Sequence, residues 1–243
     1  MLKIDKVSKK FGQLVALNNI DLDIQNGELK VIIGPNGAGK TTLINIVTGI
    51  LVPDSGRILF NGIDITNESP HRRARLGLAR TCQIPRPFFD LTVLENVYLG
   101  ARYAGGLTQG EAMKQAKEAI EMVGLSGVSN VLVRNLTTAQ MKMMSLARAL
   151  SQKPKAIFID ELGAGLSEGE LAELIGLIKR INDMGITVVY VGHIMRVVKQ
   201  LSSGKNIVVL NAGSKIFEGT YEAAVSNPEI IKIYLGDKYA SGG

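Results

Sequence analysis

Apolar and polar residues alternate through residues 1–28, in LKIDKV and again in LNNIDLDI, and this period of two predicts an antiparallel hairpin layer. The pattern then changes. Val31, Ile32 and Ile33 form a short apolar run that reads as a buried strand, and Thr42 to Thr48 reads as the start of a helix. Further strands are predicted at Ala156 to Asp160, Thr187 to Val191, Asn206 to Leu210 and Lys215 to Glu218. Four Thr/Ser-x-x-Glu/Gln boxes mark helix starts: Thr92 with Glu95, Thr108 with Glu111, Thr137 with Gln140, and Ser167 with Glu170. Ser69-Pro70 marks another, with proline at the first helical position. Strands that alternate with capped helices predict an α/β sheet. Between Leu91 and Leu150 the pattern holds helices but no long strand, so it reads as a helical lobe, residues 84–154, inserted into an α/β core formed by 1–83 and 155–243. The whole chain is expected to be one domain, frayed only at its Tyr-Ala-Ser-Gly-Gly end.

Residues 34–41, Gly-Pro-Asn-Gly-Ala-Gly-Lys-Thr, match the pattern GxxxxGK[ST] between that strand and that helix. A nucleoside triphosphate is highly charged, so its binder needs converging backbone N–H groups and a positive helix end. Glycines let the loop wrap phosphates without Cβ clashes. Asn36, Gly37, Ala38, Gly39 and Thr42 would line the phosphates, Lys40 would reach the β- and γ-phosphates, and the Thr41 hydroxyl would ligate magnesium. The predicted fold class is therefore an α/β P-loop NTPase (RecA-like) core with an antiparallel β-subdomain and an inserted helical lobe.

A second cluster lies downstream. The strand Ala156 to Asp160 ends in two acids, at the carboxyl end where a parallel sheet presents ligands. Asp160 would hold Mg2+ and Glu161 would act as general base toward the attacking water. His193 follows the strand Val188 to Val191 and could hydrogen-bond the γ-phosphate. The bland alternatives are a Gly-rich turn, two surface acids after a strand, and a structural histidine.

Composition narrows the class. The 243 residues are 46% hydrophobic with a mean hydropathy of +0.16, enough for a sizeable core. The single cysteine, Cys82, excludes an intrachain disulfide and suits a reducing compartment. Met1 to Lys10 has no unbroken apolar stretch, so no secretory signal is expected, and runs such as Leu43 to Val52 fall short of the ~20 residues that span a bilayer. A net charge of +6 fits nucleotide phosphates, nucleic acid or an anionic membrane face. The densest basic cluster, His71 to Arg75, reads as one solvated helix face. It has no interleaved aromatics to stack bases, so no nucleic-acid partner is expected.

Taken in order, the loop Gly34 to Thr41, Gln83 after a strand, the strand ending in Asp160-Glu161 and the strand before His193 resemble the ATP-binding subunit of an ABC transporter. The resemblance covers essentially the whole chain. It implies that Phe11 stacks on adenine and that Gln83 senses magnesium and the γ-phosphate. It also implies that Thr137, Ala139 and Gln140, in the signature Leu136-Thr137-Thr138-Ala139-Gln140, complete the nucleotide site of a second subunit. Gln83 to Phe88, Leu91 to Val97, Ala164 to Leu166 and Asn227 to Gly236 resemble the branched-chain amino acid importers, whose pattern urea and amide importers share.

The resemblance implies ATP and Mg2+ as ligands and transmembrane permease subunits and a second ATPase as partners. A solute-binding protein would act indirectly, and the chain would lie at the cytoplasmic face of the membrane as a peripheral subunit. Four positions depart from the family pattern: Ala139 replaces a signature glycine, Leu162 a proline, Ser167 an aspartate or asparagine, and Ile194 an acid. Because the altered signature would serve the partner's nucleotide, a heterodimer with unequal sites is expected. Pro85-Arg86-Pro87-Phe88-Phe89 would offer an apolar ridge to the membrane subunits, or else plug the space between lobes. The alternatives are a degenerate regulatory cassette with little turnover, or a non-transport ABC ATPase.

Overall fold

The computed structural model describes residues 1–81, 87–202, 204 and 206–235. In chain order it begins with β1 (Leu2–Phe11), β2 (Leu14–Ile24), β3 (Leu29–Ile33), α1 (Lys40–Val47), β4 (Ser55–Phe60) and β5 (Ile63–Asp64). Next come α2 (Pro70–Leu76), β6 (Leu78–Arg80), α3 (Val93–Leu99), α4 (Gln109–Met122), α5 (Thr138–Leu150), β7 (Ala156–Asp160), α6 (Glu168–Asp183) and β8 (Thr187–Val191). The chain ends with α7 (Met195–Leu201), β9 (Asn206–Asn211), β10 (Ser214–Thr220), α8 (Tyr221–Val225) and α9 (Pro228–Leu235). Two compact units result, residues 1–68 with 189–243 and residues 69–188, and the division falls inside β8. The expected frayed end, 239–243, lies outside the described residues, as does Cys82.

The first unit holds the predicted hairpin layer as the four-stranded sheet β2-β1-β4-β5, in which β1 pairs antiparallel with both β2 and β4. Leu2, Ile4 and Val7 all point into the core, although strict alternation would place Lys6 there and turn Val7 out. A bulge corrects the register. Lys6 takes a left-handed φ of 49° and its N–H donates to Asp21 Oδ1 at 2.9 Å, while the pairing shifts between Ile4 and Val7. The same unit carries β10, β9, β3 and the 189–191 end of β8 in that order, with β3 parallel to β9. Every residue of β3 and β8 is buried, which is why both read as continuous apolar runs.

The second unit is mostly helical. All four sequence-predicted capping boxes form, each with the N-cap hydroxyl accepting the N3 backbone N–H and the N3 side chain accepting the N-cap N–H. Among the described residues between 87 and 150 there is no strand, and α3 continues into a π-helical turn at Gly100–Ala104. In α6, Leu171, Leu174, Ile175, Ile178 and Ile181 are buried at the three- and four-residue spacing of a single helix face. β6 and β7 pair in parallel beside these helices. Ser69 caps α2 as predicted, with Pro70 at its first turn. One expectation is corrected here: His71, Arg72 and Arg75 are exposed, but Arg73 is only 1% exposed, so the basic cluster is not a uniformly solvated face. The helix turns Arg73 inward because it stands about 100° from each sequence neighbour.

A charged cluster ties the strands of the first unit. Lys30, buried on β3, reaches Glu28 at 2.8 Å and, across β9, Glu218 on β10 at 3.1 Å, while Lys215 reaches Glu218 at 2.8 Å. Burial pulls the Lys30 amine down, but the hydrogen bonds and charges of Glu28 and Glu218 outweigh it and raise its pKa. Burial likewise pushes Glu218 up, and the bonds from Lys215 and Lys30 outweigh that and lower it. The raised lysine stabilises the fold below its ordinary 10.5 and loses that effect as pH rises through its folded value. The lowered carboxyl stabilises it above its ordinary 4.5 and loses the effect as pH falls through its folded value. Glu218→Gln should therefore cost about 1 kcal/mol near neutral pH, measured by chemical denaturation. The difference from wild type should close only as pH drops below 4.5.

Candidate functional site

In the first unit the phosphate loop leaves the buried end of β3 and enters α1 after the six residues 34–39. Gly34 is buried, and a Cβ there would lie 2.3 Å from the Leu210 carbonyl oxygen. Gly39, at φ +98°, is the N-cap of α1, and a Cβ on it would meet the Ala16 carbonyl at 2.5 Å and Leu17 Cδ2 at 2.8 Å. Only glycine fits at either position. The loop is pinned by the N–H of Ala38 donating to Pro35 O at 3.2 Å and that of Gly213 donating to Ala38 O at 3.2 Å. Ala16 belongs to β2, so the antiparallel layer lies directly against the loop.

Within this loop Lys40 is buried, and its Nζ donates to the carbonyls of Gly34 at 2.7 Å and Pro35 at 2.9 Å. The ammonium is thus folded back over the loop. Asn36, Gly37 and Thr41 are exposed and Thr42 is half-buried, while no side chain caps the first turn of α1. A helix N-terminus of this kind carries the partial positive charge that an anion needs. His193 joins the same edge, because the Gly192 N–H donates to Ile32 O at 3.2 Å and places His193, exposed, just past the end of β8. Phe11 closes β1 with its ring 46% exposed and Lys9 Nζ 5.8 Å from its centroid.

In the second unit the acid pair stands at the end of β7, whose five residues are all buried. Asp160 has no exposure; its N–H donates to Thr81 Oγ1 at 3.1 Å, and Arg80 NH2 lies 3.8 Å from its Oδ2. Thr81 in turn donates its N–H to Phe158 O at 2.8 Å, which locks the end of β6 to β7. The chain then turns sharply: half-buried Glu161 adopts φ +46°, an uncommon conformation for a non-glycine residue that costs of order 1–3 kcal/mol. Leu162, where the family pattern has proline, is fully buried. Arg80 and Thr81 escaped the sequence reading. Their only signal is their place at the end of a short strand just before Gln83.

The N-terminus of α5 carries the signature residues. Thr137 Oγ1 accepts the Gln140 N–H at 3.2 Å, and Gln140 Oε1 accepts the Thr137 N–H at 3.0 Å. Gln140 is therefore turned back onto the cap. Thr137 is exposed, Ala139 and Gln140 are half-buried, and all three border a cavity of about 880 Å³ that Met143, Leu166 and Glu170 also line. Gln83 lies outside the described residues, as do Ile84, Pro85 and Arg86. Phe88 and Phe89 are 56% and 52% exposed, which does not suit a plug. The buried Asn96 fixes the Phe88 backbone by accepting its N–H and donating to its carbonyl, each at 2.9 Å.

Each unit separately presents an oxygen donor of the kind magnesium takes. Among the described residues no three His, Cys, Asp or Glu side chains gather into a protein-only metal cage. Mg2+ with a nucleotide needs less, since one or two protein oxygens complement phosphate oxygens and water. A buried carboxylate at a strand end and an exposed threonine hydroxyl after a phosphate loop are such donors. No helix among the described residues is long and apolar enough to cross a membrane.

Known proteins resemble this chain over nearly its whole length. Residues 17–164 match the ABC transporter family model. A probable branched-chain amino acid transport ATP-binding protein of Archaeoglobus fulgidus is 33% identical over 97% of this chain and 95% of its own length. A nucleotide-free ATP-binding cassette from an ABC transporter superposes with a TM-score of 0.87 at 29% identity, over 98% of this chain and 99% of that one. A dimeric post-hydrolysis cassette bound to ADP and Pi superposes with a TM-score of 0.81 at 29% identity, over 90% and 98%. With a family match over most of its length, a full-length relative at 33% identity and a phosphate loop built on a buried strand, the chain belongs to the ABC transporter family as one of its ATP-binding cassettes.

Proposed function

We propose that this chain is the ATP-hydrolysing subunit of an importer for branched-chain amino acids or related small polar solutes such as urea or amides. The phosphate loop carries the reading, since it joins obligate glycines, a buried ammonium and an uncapped helix N-terminus within eight residues. The branched-chain solute follows from the relatives, which are transport ATP-binding proteins for those amino acids. A degenerate cassette is less well supported, because Lys40, Asp160, Glu161 and His193 are all kept.

Each residue then has a role. The backbone N–H groups of residues 36–42 hold the β- and γ-phosphates, and Lys40 exchanges its carbonyl contacts for phosphate oxygens. Phe11 stacks on the adenine. Thr41, Asp160 and Gln83 would hold Mg2+, which when bound neutralises charge on the phosphates. Glu161 accepts a proton from the attacking water, and His193 donates a hydrogen bond to the γ-phosphate.

The second cassette contributes its own signature to this site, while Thr137, Ala139 and Gln140 complete the partner's. Ala139 places a methyl where backbone would approach phosphate, so the two sites of a heterodimer are unequal. ATP closes the dimer and hydrolysis lets it reopen. The helical segment 84–154 passes this motion through the exposed Phe88, whose backbone Asn96 fixes, and the exposed Phe89 to cytoplasmic loops of the permease subunits. The chain works at the cytoplasmic face as a peripheral subunit, and a solute-binding protein feeds the permease from the other side.

Three outcomes test these assignments. Glu161→Gln should lower hydrolysis roughly 10²–10⁴-fold while ATP still binds and traps a closed dimer; hydrolysis near the wild-type rate would remove Glu161 as the base. Lys40→Ala should instead weaken equilibrium ATP binding by about tenfold or more, through loss of charge-assisted hydrogen bonds. Equal ATP affinity in the two variants would undo that division of roles. The signature acts in trans: Ala139→Gly should raise residual turnover in a complex whose Glu161 is disabled, and barely change it when the partner's catalytic glutamate is disabled. A gain confined to the second background would assign the signature to the wrong site.

A further inference from the structure

Lys142 is a charged residue that the sequence patterns left unassigned. It lies on α5, three residues beyond Ala139, and is only 6% exposed. Its Nζ donates to the carbonyl oxygen of Ala164. Ala164 sits in the turn between the acid pair and α6. That turn is built from the Ala164 N–H donating to Glu161 O at 3.2 Å, the Leu166 N–H donating to Gly163 O at 3.2 Å, and Gly165 at φ +72°. It begins at Glu161, whose own φ is positive, and ends at Ser167, the N-cap of α6. The ammonium bonds no residue of its own helix in this arrangement. It reaches sideways to a loop 22 residues further along the chain.

A buried ammonium is retained against its desolvation cost only where it is paired or hydrogen-bonded. Burial lowers the proton affinity of Lys142, and the nearby Glu170 carboxylate partly restores it. Glu170 is fixed as the N3 residue of the α6 cap, where the Ser167 hydroxyl and N–H hold its pKa below the ordinary carboxylate value. The cation thus has one bonded partner, the Ala164 carbonyl of the turn, while the Glu170 carboxylate acts on it through charge alone. That carbonyl is positioned by the backbone bonds of the turn, so the amine acts as a fixed strut and not as a mobile surface charge.

We propose that Lys142 is a positioning residue that holds the turn after Glu161 in register with the N-terminus of α5, so that the general base and the signature residues move as one body. It touches no reacting atom and acts through Ala164. The inference rests on the proposed roles of Glu161 and of Thr137 to Gln140: one end of the strut serves this chain's nucleotide, the other serves the partner's. Without the strut, nucleotide would still bind, but Glu161 would sample positions away from the attacking water. Misplacement of a reacting group by about 1 Å can cost up to about 10²-fold in rate.

The test compares Lys142→Met, which keeps length and removes the charge, with Lys142→Arg, which keeps a donor, in the full chain assembled with its partner subunits. Lys142→Met should lower kcat about tenfold or more while KM for ATP and equilibrium ATP affinity stay within twofold, and Lys142→Arg should recover most of the loss. Amide hydrogen exchange at residues 162–166 should quicken in Lys142→Met and stay slow in Lys142→Arg. A kcat within twofold of wild type, a loss confined to ATP affinity, or unchanged exchange at 162–166 would each overturn the proposal. If Lys142→Met does not fold, Lys142→Gln takes its place with the same readouts. Failure of the underlying functional reading looks different: the unmutated complex would not turn over ATP, while the exchange comparison would still report on the strut.

Discussion

A strand buried on both faces must release its chain from an apolar core, and the phosphate loop and the acid pair of this protein are each arranged around such an exit. β3 and β7 are buried along their whole length, and Lys40 after the one and Asp160 at the end of the other are buried as well. Lys40 is satisfied locally by the carbonyls of Gly34 and Pro35, while at Asp160 the backbone N–H donates to Thr81 and Arg80 lies 3.8 Å from the carboxylate. Leaving such groups without partners would cost about 1–3 kcal/mol each, and more for a charge. The same requirement that completes the core therefore fixes the chemistry at its edge.

Close backbone approach is the second consequence. The phosphate loop touches Leu210 on one side and Ala16 on the other, near enough that Cβ atoms at Gly34 and Gly39 would overlap carbonyl oxygens. The antiparallel layer is thus more than a cover for the core, because β2 forms one wall of the loop. In the second unit the sharp turn at Glu161 does comparable work. A left-handed residue directly after a buried strand redirects the chain within one position, and a buried cation from α5 then holds the turn. Strain of this kind persists only where the surroundings over-determine it.

The helical unit shows a different economy of interactions. Its helices start at reciprocal caps that need residues only three apart, so each start is specified locally. At Thr137 the cap also borders a cavity. Thr137 and Gln140 satisfy each other, and both line that cavity together with Ala139. Helix initiation and one wall of the cavity are here the same feature.

What the sequence determined by itself is what depends on near neighbours. The strands Ala156 to Asp160 and Thr187 to Val191, the four capping boxes, Pro70 at the start of α2 and the order of loop and acids were all legible, because period, capping and strand-loop-helix succession act over a few residues. Even the hairpin layer was visible, though not the bulge at Lys6 that turns Val7 inward, since its cause is Asp21 on another strand. Tertiary structure alone decided that Arg73 is buried within a basic cluster, that Thr81 supports Asp160 from 79 residues away, and that Lys142 reaches Ala164. No local pattern encodes those choices. Which group meets a buried charge depends on how distant segments pack, and the cost of leaving that charge unpaired is felt only once the core has closed around it.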